Sequence, residues 1–496
     1  AARLRQVAFW VTLVWAVHPL QVSSVLYVVQ RMETLAVTFL LLALLCYVRG
    51  RCDQIAGRSG WGWLLASGGL AGVGLLAKET GIVFPLLAWM LELTVLGFRA
   101  HHAATTRLLK HLYLAGLIVG LVGLVMLSAR YLGPDTYALR DFSAGARLLT
   151  QFRALCLYLQ QILLPLPGSM TFYYDNYPPS RGLLTPASTL VCAGLLAMLL
   201  AAAIRWRRRV PLFALGVFWF FGAHLLTSGV VPLELVFEHR NYFALLGVLL
   251  AVAGVVGATS RFSPSRPWRL ALTAGLVAVV VLGAVRATTW GSQLRLAEDL
   301  VVKNPGSPRA SSELATTYFG LAGNDPNSRA WALAIGEFER GATLPNASPL
   351  PEQGLILMTA SVGGEVKPAW WDSLIEKLAR LPISPQEVMT VTGLVGQRQG
   401  GFELDDQRLA EAYLTLVRRS TLPAGAYAVF ADHSLRFLGH VDQAQALFIQ
   451  ATEQAKHDPA FVDRLIRGVI ADGHPMVAKA VLAHAAGLGI VNASDY

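Results

Sequence analysis

The stretch PLFALGVFWFFGAHLLTSGVVPLELVFEHRNYFALLGVLLAVAGVVGA, residues 211–258, decides the fold. Two apolar runs, Pro211–Gly229 and Phe243–Ala258, flank the polar segment Glu238-His239-Arg240-Asn241-Tyr242. Both runs are apolar enough to be membrane helices. Three consecutive ionisable residues at a membrane boundary are expensive to desolvate, so we expect this segment to be functional. The alternative is an interfacial cluster that only anchors a helix end.

The composition is that of a membrane protein. Hydrophobic residues make up 54% of the 496 residues, charged residues only 15%, and the mean hydropathy is +0.49. The net charge of +10 does not indicate nucleic acid, because the basic residues cluster in short loops between apolar runs, as membrane topology requires. The four cysteines have no metal-ligand spacing, so we predict neither a disulfide framework nor a metal site.

Further apolar runs complete a predicted bundle of about nine spanning helices within residues 1–290. The runs are Val7–His18, Thr34–Val48, Trp61–Ala77, Ile82–Phe98, Leu112–Ala129, Leu184–Ile204, Pro211–Gly229, Phe243–Ala258 and Leu270–Val285. The basic loops, which are predicted to be cytoplasmic, are Arg49–Arg58, Arg99–Lys110, Arg205–Arg209 and Arg261–Arg269. If residues 148–166 also spanned the membrane, this loop pattern would fail. We therefore predict an amphipathic helix there, on the outer surface or re-entering from it, with a spanning helix as the alternative.

Residues 291–496 are predicted to form a soluble α-helical domain on the outer side. A self-match with a period of 34 residues brings Gly439 and Ala444 into register with Gly473 and Ala478. This period, with small residues at helix crossings, is typical of tetratricopeptide repeats, and a generic helical solenoid is the alternative. Such repeats stack and leave a concave surface for peptides or other partners.

The predicted outer loops carry polar side chains suited to one kind of chemistry. They contain the cations Arg31, Lys78 and Arg240, the carboxylates Glu33, Glu79, Asp175 and Glu238, the histidines His18 and His239, and Tyr242. Arginine and lysine bind phosphate oxygens, whereas carboxylate and histidine can deprotonate an acceptor hydroxyl. A lipid-linked sugar donor used at the outer face requires both. The structural alternatives are interfacial anchors and a self-neutralising pair of neighbouring residues.

Three segments resemble the transmembrane and tetratricopeptide-repeat-containing O-mannosyltransferases. HPLQVSSVLYVVQRMETLAVTFLLLALLCYV (residues 18–48) resembles that family's histidine-proline segment, and LLAKETGIVFPLLAWMLEL (residues 75–93) its Ser-Lys-Glu segment. The stretch after Thr289 resembles its junction into the first repeat. The likeness covers Val7 to about Gly323 and, more loosely, the tail. It implies a GT-C glycosyltransferase fold, a polyprenyl-phosphate sugar donor and repeats on the outer or lumenal face.

Two features depart from that family pattern. The helices and the first outer loop that carry the family's catalytic acid are missing before His18, so we expect a truncated N-terminus. The segment Glu238–Tyr242 differs from the pattern of eukaryotic members, and 34 arginines stand against 7 lysines. Together these features favour a bacterial relative in the inner membrane, with the repeats in the periplasm.

The prediction is thus an all-α membrane bundle with a repeat tail that moves a sugar from a polyprenyl-phosphate carrier to a hydroxyl of a protein or glycan. The assigned roles are Arg31, Lys78 and Arg240 for the donor phosphate, Glu238 and His239 as catalytic groups at the acceptor, Glu33 and Glu79 for orienting cations, and His18, Asp175 and Tyr242 as supporting residues. We predict no metal and no cofactor other than the lipid-linked donor; the partners are membrane lipid and the acceptor. The alternatives are a lipid-diphosphate-dependent oligosaccharide ligase or polymerase, and a non-enzymatic membrane-anchored scaffold.

Overall fold

The computed structural model describes residues 2–137, 140–258, 266–345 and 347–492. In these ranges the chain is built from α-helices and turns, with no β-strand, which confirms the predicted all-α class. The chain divides into two compact units, one of residues 1–133 and 142–303, the other of residues 134–141 and 304–496. Residues 261–265, part of a predicted cytoplasmic loop, lie outside the described ranges.

The described part of the first unit contains twelve α-helices. They are α1 (Ala2–Val17), α2 (Leu20–Leu26), α3 (Arg31–Ile55), α4 (Trp61–Ala77), α5 (Phe84–Leu91), α6 (Ala103–Tyr131), α7 (Ala144–Leu163), α8 (Ser188–Trp206), α9 (Pro211–His224), α10 (Asn241–Ala258), α11 (Arg266–Trp290) and α12 (Gln293–Lys303). Six helical stretches are long and apolar enough to cross a membrane: Val28–Ile55, Glu79–Leu96, Ala103–Tyr131, Ser188–Trp206, Glu238–Ala258 and Leu270–Trp290. The bent pair α1 and α2 makes up to seven, and α4 and α9 are shorter apolar helices.

Two predicted spans are interrupted. The chain bends by 63° between α1 and α2, where Pro19 lacks the backbone N–H that would continue a straight helix. The run Ile82–Phe98 is divided into the 3-10 turn Glu79–Val83, helix α5 and a π-helical turn, Glu92–Leu96.

The two ends of α3 carry separate buried charge networks. Glu33 lies at the start of α3 and Arg51 near its end, about 27 Å apart at 1.5 Å per residue. Arg51 Nε donates to Glu92 Oε1 over 2.6 Å, and both side chains are fully buried. Because Arg51 lies in the predicted cytoplasmic loop Arg49–Arg58, Glu33 marks the predicted outer end of the unit.

Glycines allow α9 and α10 to pack at very short range. A Cβ atom at Gly216 would lie 2.3 Å from the carbonyl oxygen of Gly247, and one at Gly254 would lie 2.4 Å from Phe213 N. Small residues of this kind let backbones approach closely where lipid gives no hydrophobic drive for association. The close packing fixes the position of Asn241, with which α10 begins.

The described part of the second unit contains ten α-helices arranged largely as consecutive hairpins. They are α13 (Pro308–Ala322), α14 (Arg329–Ala342), α15 (Leu350–Ala360), α16 (Pro368–Arg380), α17 (Pro385–Gln399), α18 (Asp406–Arg419), α19 (Ala424–Arg436), α20 (Val441–Gln454), α21 (Pro459–Ala471) and α22 (Pro475–Gly487). The self-match falls on two hairpins: Gly439 and Gly473 turn with positive φ, and Ala444 and Ala478 are buried at equivalent places. The unit is a helical repeat; its assignment as tetratricopeptide stays a prediction.

Candidate functional site

An ion pair between α3 and the end of α4 forms one side of the candidate site. Lys78 Nζ lies 3.0 Å from Glu33 Oε2 and 3.4 Å from Gln30 Oε1, and Thr80 donates to Glu33 over 2.9 Å. Lys78 reaches this position because the chain turns back tightly: a Cβ at Gly81 would lie 2.3 Å from Leu75 N. The turn thus places Lys78 next to Glu33, a carboxylate on α3 that is far from it along the chain.

The roles predicted for the neighbouring charges are only partly matched. Glu33 holds Lys78, as the sequence suggested for one of the two cations. Glu79 is exposed, and the ion pair of Lys78 is formed with Glu33. Arg31, the first residue of α3, is also exposed. Lys78 therefore pairs with Glu33 on another helix, and not with Glu79 as in the structural alternative of a self-neutralising turn.

Arg240 supplies the other side of the site. Its Nη2 donates to the carbonyl oxygen of Glu234 over 2.8 Å, and its Nη1 donates to that of Leu235 over 3.3 Å. The Phe237 ring lies 5.8 Å from the guanidinium carbon. Throughout the described ranges, no carboxylate forms an ion pair with Arg240, so neutral oxygens hold a half-buried positive charge in place.

His239 connects the two sides. Its ring packs on Phe237 with 4.6 Å between ring centroids, and it lies within the electrostatic influence of both Arg240 and Lys78. Its Nδ1 atom is buried, and no hydrogen-bond partner is found for it within the described part of the chain. Arg240 and Lys78 therefore both act electrostatically on His239, whose Nδ1 atom is buried.

Glu238 turns away from this cluster into the protein. It is fully buried and accepts hydrogen bonds from the Phe172 N–H and the Tyr174 hydroxyl, each at 3.0 Å. Arg286, near the end of α11, forms an ion pair with its other oxygen. Burial, and then the charge of Glu238, raise the pKa of Tyr174 well above its ordinary value. With both oxygens occupied, Glu238 fits a positioning role better than the predicted catalytic one.

The remaining supporting residues are more dispersed. His18 is buried: Leu20 N–H donates to its Nδ1, so its Nε2–H donates to the carbonyl oxygen of Ile162 over 3.1 Å. Its Nδ1 is thus bonded within the α1–α2 bend, and its Nε2 joins the bend to α7. Tyr242 packs against Trp15, with ring centroids 5.3 Å apart, whereas Asp175 is exposed on the loop after α7.

Helix α7 was predicted as an amphipathic helix, but its hydrogen bonds to the backbone next to the candidate site were not predicted. Its buried Arg147 donates to the carbonyl oxygens of Thr227 (2.6 Å), Gly229 (3.0 Å), Leu233 and Glu234 (3.2 Å). One turn further on, Gln151 donates to the carbonyl oxygen of Leu235 over 3.0 Å. Its polar face therefore binds backbone oxygens in place of water. Polar residues within the predicted run 148–166, among them Gln151, were the signal. Arg147 immediately precedes that run, and the targets of both side chains depend on the fold.

Arg147 and Arg240 hold the same piece of backbone. The carbonyl oxygen of Glu234 accepts from both arginines, and that of Leu235 accepts from both Gln151 and Arg240. The position of the Arg240 guanidinium is therefore set by α7 through these two carbonyls. Among the described residues, no group of three or more His, Cys, Asp or Glu side chains could hold a metal ion.

The comparisons with known proteins find a short stretch of similarity. The chain is 38% identical over 74 residues to the human protein named Protein O-mannosyl-transferase TMTC2 and 36% identical over 74 residues to the mouse protein of that name. The matched stretch is 15% of this chain and spans only 9% of the length of each relative. No protein-family model and no solved structure matches the chain.

Proposed function

We propose that this protein is an integral-membrane glycosyltransferase that moves a sugar from a polyprenyl-phosphate-linked donor to a hydroxyl of a protein or glycan acceptor. The observation that carries the proposal is Arg240, a half-buried cation bonded to two neutral carbonyl oxygens. A guanidinium held in this way keeps its charge for an anion and offers N–H groups that suit phosphate oxygens. The short similarity to proteins named O-mannosyl-transferases supports the same reaction class.

The roles follow from the charges at the site. Arg240 binds the donor phosphate from one side and Lys78 from the other, while Arg31 adds positive charge at the exposed edge. Glu33 keeps Lys78 in place until the phosphate arrives, because the two side chains are 3.0 Å apart and largely buried. His239 accepts a hydrogen bond from the acceptor hydroxyl as the catalytic base. Glu238 acts indirectly, by holding the turn that carries these residues.

The proposed location is the outer, periplasmic face of a bacterial inner membrane. The basic loops predicted to be cytoplasmic support this orientation, and the residues of the site gather at the other end of α3 from Arg51. The second unit, as a tetratricopeptide-like repeat, would bind the acceptor or a partner protein on its concave surface.

An assay of donor class tests the proposal. Membranes containing the full chain are supplied in parallel with a single sugar on a polyprenyl monophosphate and a preassembled glycan on a polyprenyl diphosphate. We expect sugar transfer from the monophosphate. Transfer from the diphosphate alone would instead establish an oligosaccharide ligase or polymerase. Absence of transfer from both, with the protein inserted and folded, would favour a non-enzymatic scaffold.

A further inference from the structure

Two cysteine thiols meet between α7 and α8. The Cys156 thiol lies 3.8 Å from the carbonyl oxygen of Cys192, and the two thiols are close enough to interact directly. Both residues are half-buried, and all four cysteines of the chain are free in this structure. The other two, Cys46 and Cys52, are on α3. The spacing in sequence gave no sign of this pair, because the contact depends on how two helices pack.

The thiol pair lies on the helix that positions the candidate site. Cys156 stands on α7 between Gln151 and Tyr158. Gln151 holds the carbonyl oxygen of Leu235, and the Tyr158 hydroxyl accepts a hydrogen bond from Phe237 N–H over 2.8 Å. A bond that fixes α7 against α8 would therefore also restrict the backbone of Leu235 and Phe237, which precedes Arg240.

We propose that Cys156 and Cys192 form a reversible disulfide that clamps α7 to α8 and fixes the backbone carrying Arg240. The disulfide itself follows from the packing of the two thiols, whereas its regulatory meaning rests on the proposed function. In the reaction, two thiols lose two protons and two electrons to a disulfide oxidant of the glutathione-disulfide class. One new S–S bond forms, the S–S bond of the oxidant breaks, and the oxidant leaves as two thiols.

The surroundings suit a slow, controlled reaction. The predicted outer face is an oxidising compartment, where disulfides persist. Burial, and then the contact with Cys192, raise the pKa of the Cys156 thiol to about 12. Since the thiolate is the attacking species, attack by the Cys156 thiol on an oxidant is slow at neutral pH.

Counting free thiols tests the disulfide. The full chain in membranes is treated with oxidised glutathione or with dithiothreitol, then denatured and alkylated, and its mass is measured by intact-protein mass spectrometry. Four cysteines are present, so we expect four adducts after reduction and two after oxidation. Cys156→Ser should give three adducts in both states, and so should Cys192→Ser, while Cys46→Ser should give three and one. Four adducts on the oxidised wild type, or fewer adducts on oxidised than on reduced Cys156→Ser, would overturn the proposed disulfide.

Hydrogen exchange tests the clamp without any enzymatic readout. We expect the backbone amides of residues 227–237 to exchange more slowly in the oxidised wild type than in the reduced one, and equally in both states of Cys192→Ser. Equal exchange in the two states of wild type would overturn the clamp even if the disulfide forms. Failure of sugar transfer would count against the proposed function alone, because neither of these two measurements depends on it.

Discussion

Replacing Glu238 by glutamine tests whether this residue positions the site. The carboxylate is fully buried, and Arg286, with 6% of its side chain exposed, depends on it for charge balance. Glutamine keeps the shape and can still accept the bond from Phe172 N–H, but it leaves the guanidinium buried without an anion. Breaking a buried ion pair in this way costs about 3–5 kcal/mol, so we expect a loss of that size in the stability of the first unit.

The double variant Glu238→Gln, Arg286→Met tests whether the loss of stability comes from the broken ion pair. Arg286→Met alone leaves a buried carboxylate unpaired and should cost a similar amount, whereas removal of both charges leaves neither group stranded. The double variant should therefore be more stable than the sum of the single losses predicts, by up to about 3 kcal/mol. Thermal unfolding of the purified protein in detergent measures all four proteins. Additive losses would refute the proposed pairing.

Sugar transfer by the same four proteins separates positioning from catalysis. If Glu238 positions the turn, the double variant should recover much of the transfer activity that each single variant loses. If Glu238 is the catalytic base, transfer should stay absent in the double variant even though stability returns. The latter result would restore the role that the sequence first predicted for Glu238.

Three further predictions concern other parts of the chain. Arg147→Lys should lower transfer by about tenfold, because a compact ammonium cannot reach all the carbonyls that the guanidinium holds; steady-state kinetics with donor measures this. Burial lowers the pKa of His433, so His433 is protonated in the unfolded chain, below about pH 6.5, before it is protonated in the folded chain; the second unit should therefore lose stability as the pH falls from 7 to 5. Hydrogen exchange of α19 at both pH values measures this loss, with His433→Gln as the comparison. Gly216→Ala should destabilise the α9–α10 pair by about 1–3 kcal/mol through overpacking, whereas Gly194→Ala, which has open space around it, should not; thermal unfolding compares them.

Much of the helical architecture is visible in the sequence. Apolar runs gave the helices of the first unit, and the 34-residue self-match coincides with two hairpins of the second unit, with Gly439 and Gly473 at equivalent turns. That Lys78 and Arg240 both act electrostatically on His239 could also be expected. The reason is that loops at the same end of a helix bundle are close in space, whatever their separation along the chain.

The inward turn of Glu238 was not predictable. Its partner Arg286 is 48 residues further along, and only the packing of the helices brings the two together. A lone arginine near the end of an apolar run was the available signal, since an ionisable group there requires a partner. Similarly, the polar residues of α7 indicated an amphipathic helix, but whether Arg147 faces water or backbone carbonyls depends on the fold.

The most direct test of the proposed function is sugar transfer from a polyprenyl-phosphate donor by Arg240→Gln in membranes. The matched control is Arg181→Gln, which removes the same charge from an exposed arginine on the predicted outer loop. We predict that Arg240→Gln raises the donor KM and nearly abolishes transfer at low donor concentration, while Arg181→Gln behaves as wild type. Equal transfer by all three inserted and folded proteins would contradict the assignment of Arg240 to the donor phosphate.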